Sequence, residues 1–474
     1  MRSYDLIIGG TIVKSTPKVA IKSPYHGNAV GEVVFGKASD IEAATTSVSN
    51  SFRTISLMPA HERANLLRKI SNILLSKRAE LAEVIRDEAG KPIQLAQGEV
   101  DRAASTFAIA ADAALQSEGS LIPFDSVPTG VGRIGLTKRF PLGPILAITP
   151  FNFPLNLVAH KVAPAIAAGN SILVKPSSLA PMSALILSEI AHDAGLPPGV
   201  LNVIPCKGKT AETMVTDHRF KMLSFTGSAA VGWHLKSISE KKKVTLELGG
   251  NAAAIVEPDA DVTEAVRRLT VGAFTYAGQV CISVQRIFVH EAIASEFAEA
   301  FVECVSKNVK YGDPSDPEVM CGPMIDLANA DRVDEWIEEA CSHGARILYC
   351  GGERKKNLLP PTVLVNVDPS LRVASQEAFG PVVVIDSYES FEQALAKANN
   401  STYGLQAGVF TKDIGKLLMA FRELDVGGII HNNAPTFRVD PMPYGGVKDS
   451  GLGREGLKYA IEEMTEPKLL VLSE

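Results

Sequence analysis

Cys281 stands in the stretch YAGQVCISVQR, residues 276–286, among small and polar neighbours rather than in an apolar run. A Gly-Gln pair that reads as a turn precedes it, and Arg286 lies five residues on. A cysteine so placed is either a packed core residue or a nucleophile. A nucleophile needs a thiolate, a donor for the developing oxyanion and a group that completes turnover. Three other stretches hold groups of those kinds. VTLELGGN places Glu247 at the end of a strand pattern and beside a glycine pair, where a carboxylate is able to act as general base on water. ITPFNFP places Asn152 in a proline-flanked turn after a strand pattern, with an amide to offer an oxyanion. SQEAFGP places Glu377 beside Phe379 in a loop, where it suits sugar hydroxyls. Taken singly, each has a plainer reading: a core cysteine, an ion-paired glutamate, a turn asparagine. Taken together, they serve one mechanism.

The elements that must position these residues follow from periodicity. Residues 40–116 show Leu, Ile and Val at spacings of three and four, which predicts amphipathic helices, one of them closing at Gly90-Lys91-Pro92. From about residue 140 short apolar runs alternate with helical segments: GPILAITP, NLVAHKVAPAIAAG, SILVKPS, MSALILSEIAHDAG, VLNVIP, KMLSFTGS. Strand–helix alternation predicts an α/β fold, with a parallel sheet carrying helices on both faces. A second α/β series runs from about 245 to 430, with strand patterns AAAIVE, QRIFVH, ARILYC, TVLVNV, PVVVIDSY, QAGVFT and GGIIHNN. The final PKLLVLS reads as a strand for sheet pairing, with another subunit as one possible use.

The bulk numbers narrow the function classes. The chain has 474 residues, room for two or three domains, and 46% hydrophobic residues to fill their cores. A net charge of −6 argues against nucleic acid or an anionic membrane as the main partner. The six cysteines form no CxxC pair, so no zinc cage or redox dithiol is signalled and no metal is expected. Sparse cysteines and an N-terminal stretch broken by Gly9-Gly10 predict a cytoplasmic protein. GLGREG at 451–456 has the spacing of a dinucleotide fingerprint, but it follows a polar turn and leaves too few residues for a βαβ unit. GKT at 208–210 resembles the end of a phosphate-binding loop, but Val203 stands where the first glycine should be.

In this order, ITPFNFP, LVKPSS, FTGS, LELGG, GQVC, EAFGP and MPYGGVKDSGLGREG resemble the NAD(P)-dependent aldehyde dehydrogenase superfamily over essentially the whole chain. The resemblance implies that Cys281 attacks the aldehyde, that Asn152 and the Cys281 backbone N–H hold the oxyanion, and that Glu247 activates the water that releases the acid. Members that pass the acyl group to coenzyme A lack this glutamate, so its presence implies hydrolysis. The other five cysteines are expected to be structural. The resemblance also implies a Rossmann-like cofactor region (1–116 and 139–246), a catalytic α/β region (247–435) and a small oligomerisation element (117–138 with 456–474) that makes dimers or tetramers. A crystallin-like member without turnover is the alternative of a different class; intact Cys281, Glu247 and Asn152 argue against it.

For the cofactor, NADP or NAD, strand–Thr-Gly-Ser–helix in KMLSFTGSAAVG suits a pyrophosphate at a helix N-terminus. By resemblance Phe225, Gly227, Ser228 and Val231 lie beside it. Thr149, Pro150, Phe151, Ser177, Gly208, Leu248 and Gly249 join the cofactor set. Lys175 faces the adenosine ribose, and Glu377 with Phe379 the nicotinamide ribose. NAD-selective relatives often carry glutamate where this chain has Ser178. Serine removes the repulsion of a 2′-phosphate, so NADP is expected to be tolerated.

Arg102, Phe153, His160, Arg286 and Arg438 are the expected substrate contacts. Their charges suggest a small anionic aldehyde bearing phosphate, phosphonate, sulfonate or carboxylate. This resembles phosphonoacetaldehyde and non-phosphorylating glyceraldehyde-3-phosphate dehydrogenases. The same motifs also resemble archaeal-type lactaldehyde dehydrogenases, which leaves a small neutral aldehyde as the alternative. Arg102 has a second reading as a helix-surface partner of Glu99 or Asp101, and Arg286 as the start of a strand.

Overall fold

The computed structural model describes residues 2–14, 17–116 and 119–473. Residues 117 and 118 of the expected oligomerisation element, and the terminal residues 1 and 474 of the expected outer boundaries, lie outside them.

The expected helical region forms four helices, Ala38–Leu57, Ala60–Ser76, Arg78–Ala89 and Ile93–Leu115. Gly90 ends the third in the left-handed conformation (φ 66°), which glycine adopts without a Cβ penalty. The apolar stripes of these helices share one core with a six-stranded sheet. Its strand order is Leu201–Val203, Ile172–Lys175, Ile145–Ile148, Met222–Thr226, Lys243–Glu247 and Gly451–Leu452. The first five are parallel and the last is antiparallel. Strands Ile145–Ile148 and Ile172–Lys175 are buried at every position, as expected of a parallel sheet covered on both faces.

A second sheet of seven strands carries its own core. Its order is Arg346–Cys350, Thr362–Val365, Val382–Tyr388, Val284–His290, Ala252–Val256, Gln406–Phe410 and Gly428–His431. Only the Arg346–Cys350 edge is antiparallel. A third, antiparallel sheet pairs the C-terminal strand Thr465–Ser473 with Arg133–Pro141, which pairs in turn with Leu121–Ile122. The two apparent nucleotide motifs go elsewhere. GKT opens the helix Gly208–Val215, and GLGREG supplies the antiparallel edge strand Gly451–Leu452 and the turn after it. Among the described residues no helix is long and apolar enough to cross a membrane.

Candidate active site

The loop that carries Cys281 begins where helix Val262–Phe274 stops. Tyr276, Ala277 and Gly278 follow with φ of 54°, 53° and 67°. Two non-glycine residues in left-handed conformation cost of order 1–3 kcal/mol each, and such strain persists only where the surroundings over-determine it. They do so here. The Tyr276 hydroxyl donates to the Ala89 carbonyl at 2.8 Å, and its N–H to the Met320 carbonyl at 2.9 Å. Gln279 donates to the Pro323 carbonyl at 3.1 Å and accepts from the Ile325 N–H at 2.8 Å. The turn is therefore rigid, and it presents Cys281 to a cavity of about 480 Å³.

Asn152 lines the same cavity from the other sheet. Its Nδ2 donates to the Gln279 carbonyl at 3.0 Å, tying its turn to the Cys281 loop and leaving a second N–H on that nitrogen. The turn is fixed from behind by Glu99, whose Oε1 accepts from the Leu155 and Asn156 N–H groups at 2.9 and 3.0 Å. Glu99 is itself ion-paired to Lys91, whose ammonium sits 3.5 Å from the centre of the Phe153 ring. Arg102 therefore pairs neither with Glu99 nor with Asp101, which Arg78 holds; it reaches Asp440 at 2.8 Å instead.

Glu247 ends its strand at the cavity wall, buried, with neither carboxylate oxygen hydrogen-bonded. Burial, then the nearby Glu455, pushes its pKa well above the usual carboxylate range. Glu455 is equally buried but held well below that range. Lys161 donates to it at 2.9 Å, and Arg438 and His160 approach its other oxygen at 3.2 and 3.4 Å. Burial likewise pushes the Cys281 thiol up to about 12; a hydrogen bond with the Tyr444 hydroxyl at 2.9 Å opposes that rise.

The helix Ala229–Ser237 starts at the cavity, with Gly227 to Ala230 on the lining and no side chain capping it at Ser228. Its open N–H groups fit a pyrophosphate. A Cβ at Gly227 would stand 2.6 Å from the Phe225 ring, so glycine lets the backbone lie close there. The Thr226 hydroxyl on the lining is buried without a partner. Leu248 and Gly249 line the cavity beside Glu247, and Val231 is half exposed on the helix. Glu377 accepts from the Gly250 N–H at 3.0 Å, and burial raises its pKa to about 7. Any Cβ at Gly249 would collide with its carboxylate. The Phe379 and Phe151 rings meet edge to face at 6.0 Å across the lining, next to Pro150. Thr149 is buried just before them. Lys175, its pKa lowered by burial, ends the neighbouring strand. Ser178 donates to the Cys206 carbonyl at 3.0 Å and Ser177 accepts from the Leu179 N–H at 3.2 Å, while Gly208 starts its helix outside the cavity lining.

Two expected substrate contacts stand elsewhere. Arg286 is not on the lining: its guanidinium is buried in the strand Val284–His290 and donates to the carbonyls of Asn251, Ala398, Lys397 and Asn400 at 3.0–3.4 Å. Strand alternation turns its side chain away from Cys281, so five residues of spacing mislead. His160 is also set back. Its Nε2 lies 2.9 Å from Asp440, and Arg438 donates to its Nδ1 at 2.9 Å, so it orients both without facing the cavity. Arg102, Phe153 and Arg438 do line the cavity. Tyr444, Glu455, Lys161 and Asp440 are site neighbours that sequence reasoning missed. Tyr444 and Glu455 lie within the quoted MPYGGVKDSGLGREG, so that motif carried the signal. All six cysteines are free thiols.

A strained cysteine turn, an asparagine amide with a spare N–H, an unpaired glutamate and an open helix end around one cavity fit one class of enzyme. The chain belongs to the aldehyde dehydrogenase family, whose model matches residues 12–470. It is an NAD(P)-dependent oxidoreductase of that family, with the aldehyde dehydrogenase fold. It is 42% identical to a 3-sulfolactaldehyde dehydrogenase of Priestia aryabhattai, over 100% of this chain and 98% of the relative. Among solved structures it resembles aldehyde dehydrogenase 21 of Physcomitrella patens in complex with the reaction product succinate. That match has a TM-score of 0.97 and 40% identity, covering 100% of this chain and 98% of that one. It also resembles glyceraldehyde-3-phosphate dehydrogenase GapN of Methanocaldococcus jannaschii complexed with NADP. There the TM-score is 0.93 and the identity 38%, covering 97% of this chain and 100% of that one.

Proposed function

We propose that the chain oxidises a small aldehyde bearing phosphate, phosphonate, sulfonate or carboxylate to the free carboxylic acid. One observation carries the reading: Arg102 and Arg438 line the cavity that holds Cys281, and each has a buried Nε without a partner. Arg102 pairs with Asp440 and Arg438 with Glu455, so both guanidinium groups are held at the lining in fixed orientation. A forked guanidinium held in this way suits an oxyanion tail. The three relatives named above act on, or hold as product, molecules with such a tail.

In this reading Cys281 Sγ attacks the carbonyl carbon, and Asn152 Nδ2 and the Cys281 N–H hold the oxygen as it takes charge. Bound NAD(P) supplies the hydride acceptor, and NADP is accepted because no carboxylate stands at Ser178. Glu247 then takes a proton from water, which attacks the thioester carbon and frees Cys281. The free acid is the product because that base is present.

The remaining assignments belong to the same reading. Residues 1–116 with 139–246 hold the cofactor, 247–435 carry catalysis, and 117–138 with 456–474 join subunits. The terminal strand Thr465–Ser473 has an unpaired edge, and its Leu469, Leu470, Val471 and Leu472 are 44–54% exposed. A homodimer or homotetramer would cover them. Free thiols throughout suit the cytoplasm.

The test is initial rates with NADP and NAD against glyceraldehyde 3-phosphate, phosphonoacetaldehyde, sulfolactaldehyde, succinate semialdehyde, lactaldehyde and propanal. Wild type and Arg438→Ala are compared. A charged hydrogen bond of about 1.5–3 kcal/mol predicts a loss in kcat/KM of roughly 10–100-fold for the preferred anion. Propanal, which has no charged tail, should lose less, because only the stacking of Arg438 on Tyr444 is removed for it. Wild-type rates with lactaldehyde or propanal that match the best anion would instead assign a small neutral substrate.

A further inference from the structure

Tyr444 is buried, and its hydroxyl lies 2.9 Å from Cys281 Sγ. Ile282 and Leu405 pack with the ring, while the Arg438 guanidinium stacks 3.6 Å from its centre. Backbone bonds fix the ring's loop: Tyr444 N–H donates to the Glu455 carbonyl at 3.0 Å, and Glu455 N–H returns to the Tyr444 carbonyl at 2.6 Å. A phenol held this tightly on the reacting sulfur is not required for packing, because a phenyl ring would fill the same space.

We propose that the Tyr444 hydroxyl is a further catalytic group, which donates to Cys281 Sγ and eases formation of its thiolate at the cavity, with Arg438 stacked on its ring as anchor. The inference rests on Cys281 being the nucleophile. Its sign follows from the two forms of the bond. A neutral thiol is a weak donor to the phenol oxygen, whereas a phenol O–H donating to a thiolate is charge-assisted and about twice as strong as a neutral bond. The pair therefore favours the thiolate. Arg438 draws electron density from the ring and makes the hydroxyl a better donor, while Glu247 and Glu377 are the carboxylates that oppose the thiolate. Protons balance simply. Cys281 gives its proton to water, and Tyr444 keeps its own. When the S–C bond forms, the carbonyl π pair moves onto oxygen and the sulfur loses its charge.

The measurement is the rate of Cys281 alkylation by iodoacetamide, without aldehyde or cofactor, from pH 6 to 10. Cys281→Ser identifies the reaction at that thiol. Losing a charged hydrogen bond raises the thiol pKa by about 1, which lowers the thiolate fraction about tenfold. The more basic thiolate is intrinsically about threefold more nucleophilic, because reactivity follows basicity with a slope of about 0.4–0.5. Tyr444→Phe is therefore expected to alkylate about threefold more slowly at every pH below the thiol midpoint. 3-Fluorotyrosine at 444, a stronger donor of nearly the same shape, is expected to speed it. Equal or faster alkylation in a Tyr444→Phe protein of unchanged melting temperature overturns the proposal. If that variant does not fold, absence of acceleration with 3-fluorotyrosine overturns it. Full aldehyde oxidation by Cys281→Ser would instead overturn the nucleophile assignment itself.

Discussion

The cavity has two walls that differ in how their polar atoms are paired. On one, both Glu247 oxygens, Asn152 Oδ1 and Thr226 Oγ1 are buried without partners. On the other, Glu455 lines the cavity and is held from behind by Lys161 and His160, which reach on to Ser224 and Asp440. Glu247 and Glu455 are both buried glutamates, yet one pKa is pushed up and the other down. Unpaired buried groups cost stability, so a fold keeps them where chemistry uses them. Paired ones mark the scaffold. Changes on the first wall should cost activity, and changes on the second should cost stability.

The sharpest test of that division is Cys281→Ser, which is expected to lower kcat on the order of 10⁴-fold or more, with little change in melting temperature. Glu247→Gln follows, with turnover lower by about 10²–10⁴-fold. A pre-steady-state burst of reduced cofactor should persist, since the general base acts after hydride transfer. In wild type the base form of Glu247 grows as pH rises, so hydrolysis should climb through a midpoint well above the usual carboxylate range. The glutamine variant should lack that limb. Linkage has the matching sign: a carboxyl raised on folding contributes stability at low pH that is lost as pH rises through its folded pKa. Glu247→Gln should thus be more stable than wild type at alkaline pH.

On the paired wall, Lys161→Met leaves Glu455 as a buried charge short of its main partner. Chemical denaturation should show a loss of about 3–5 kcal/mol. The smallest effect is expected at Arg286→Ala, outside both walls. Four backbone carbonyls lose their donor, for about 2–3 kcal/mol of stability, while kcat/KM of the folded fraction stays near wild type. A large and selective loss with anionic aldehydes would break the comparison and return Arg286 to the site.

The sequence's legibility follows the same division. Fully apolar strands such as ILAI and AAAIV report a covered parallel sheet locally, so both large sheets are readable. Cys281, Glu247 and Asn152 sit in short motifs whose residue types are unusual for a core, and they meet at one cavity. Arg286 misleads because linear spacing carries no information on which face of a strand a side chain takes. Glu455 sits in GLGREG, which does not read as a dinucleotide fingerprint because it follows a polar turn, and its partner Lys161 is 294 residues away. No local pattern reports contacts of that range.

Protein synthesis runs from the N-terminus, so Cys281 leaves the ribosome well before the residues that meet it. Tyr444 is 163 positions later in the chain. At about 5–20 residues per second that is roughly 10–30 s of translation. Throughout that interval the nascent chain carries the thiol without the hydroxyl that touches it or the Arg438–Glu455 pair behind it. The surroundings of Cys281 are thereby completed only when most of the chain has been made.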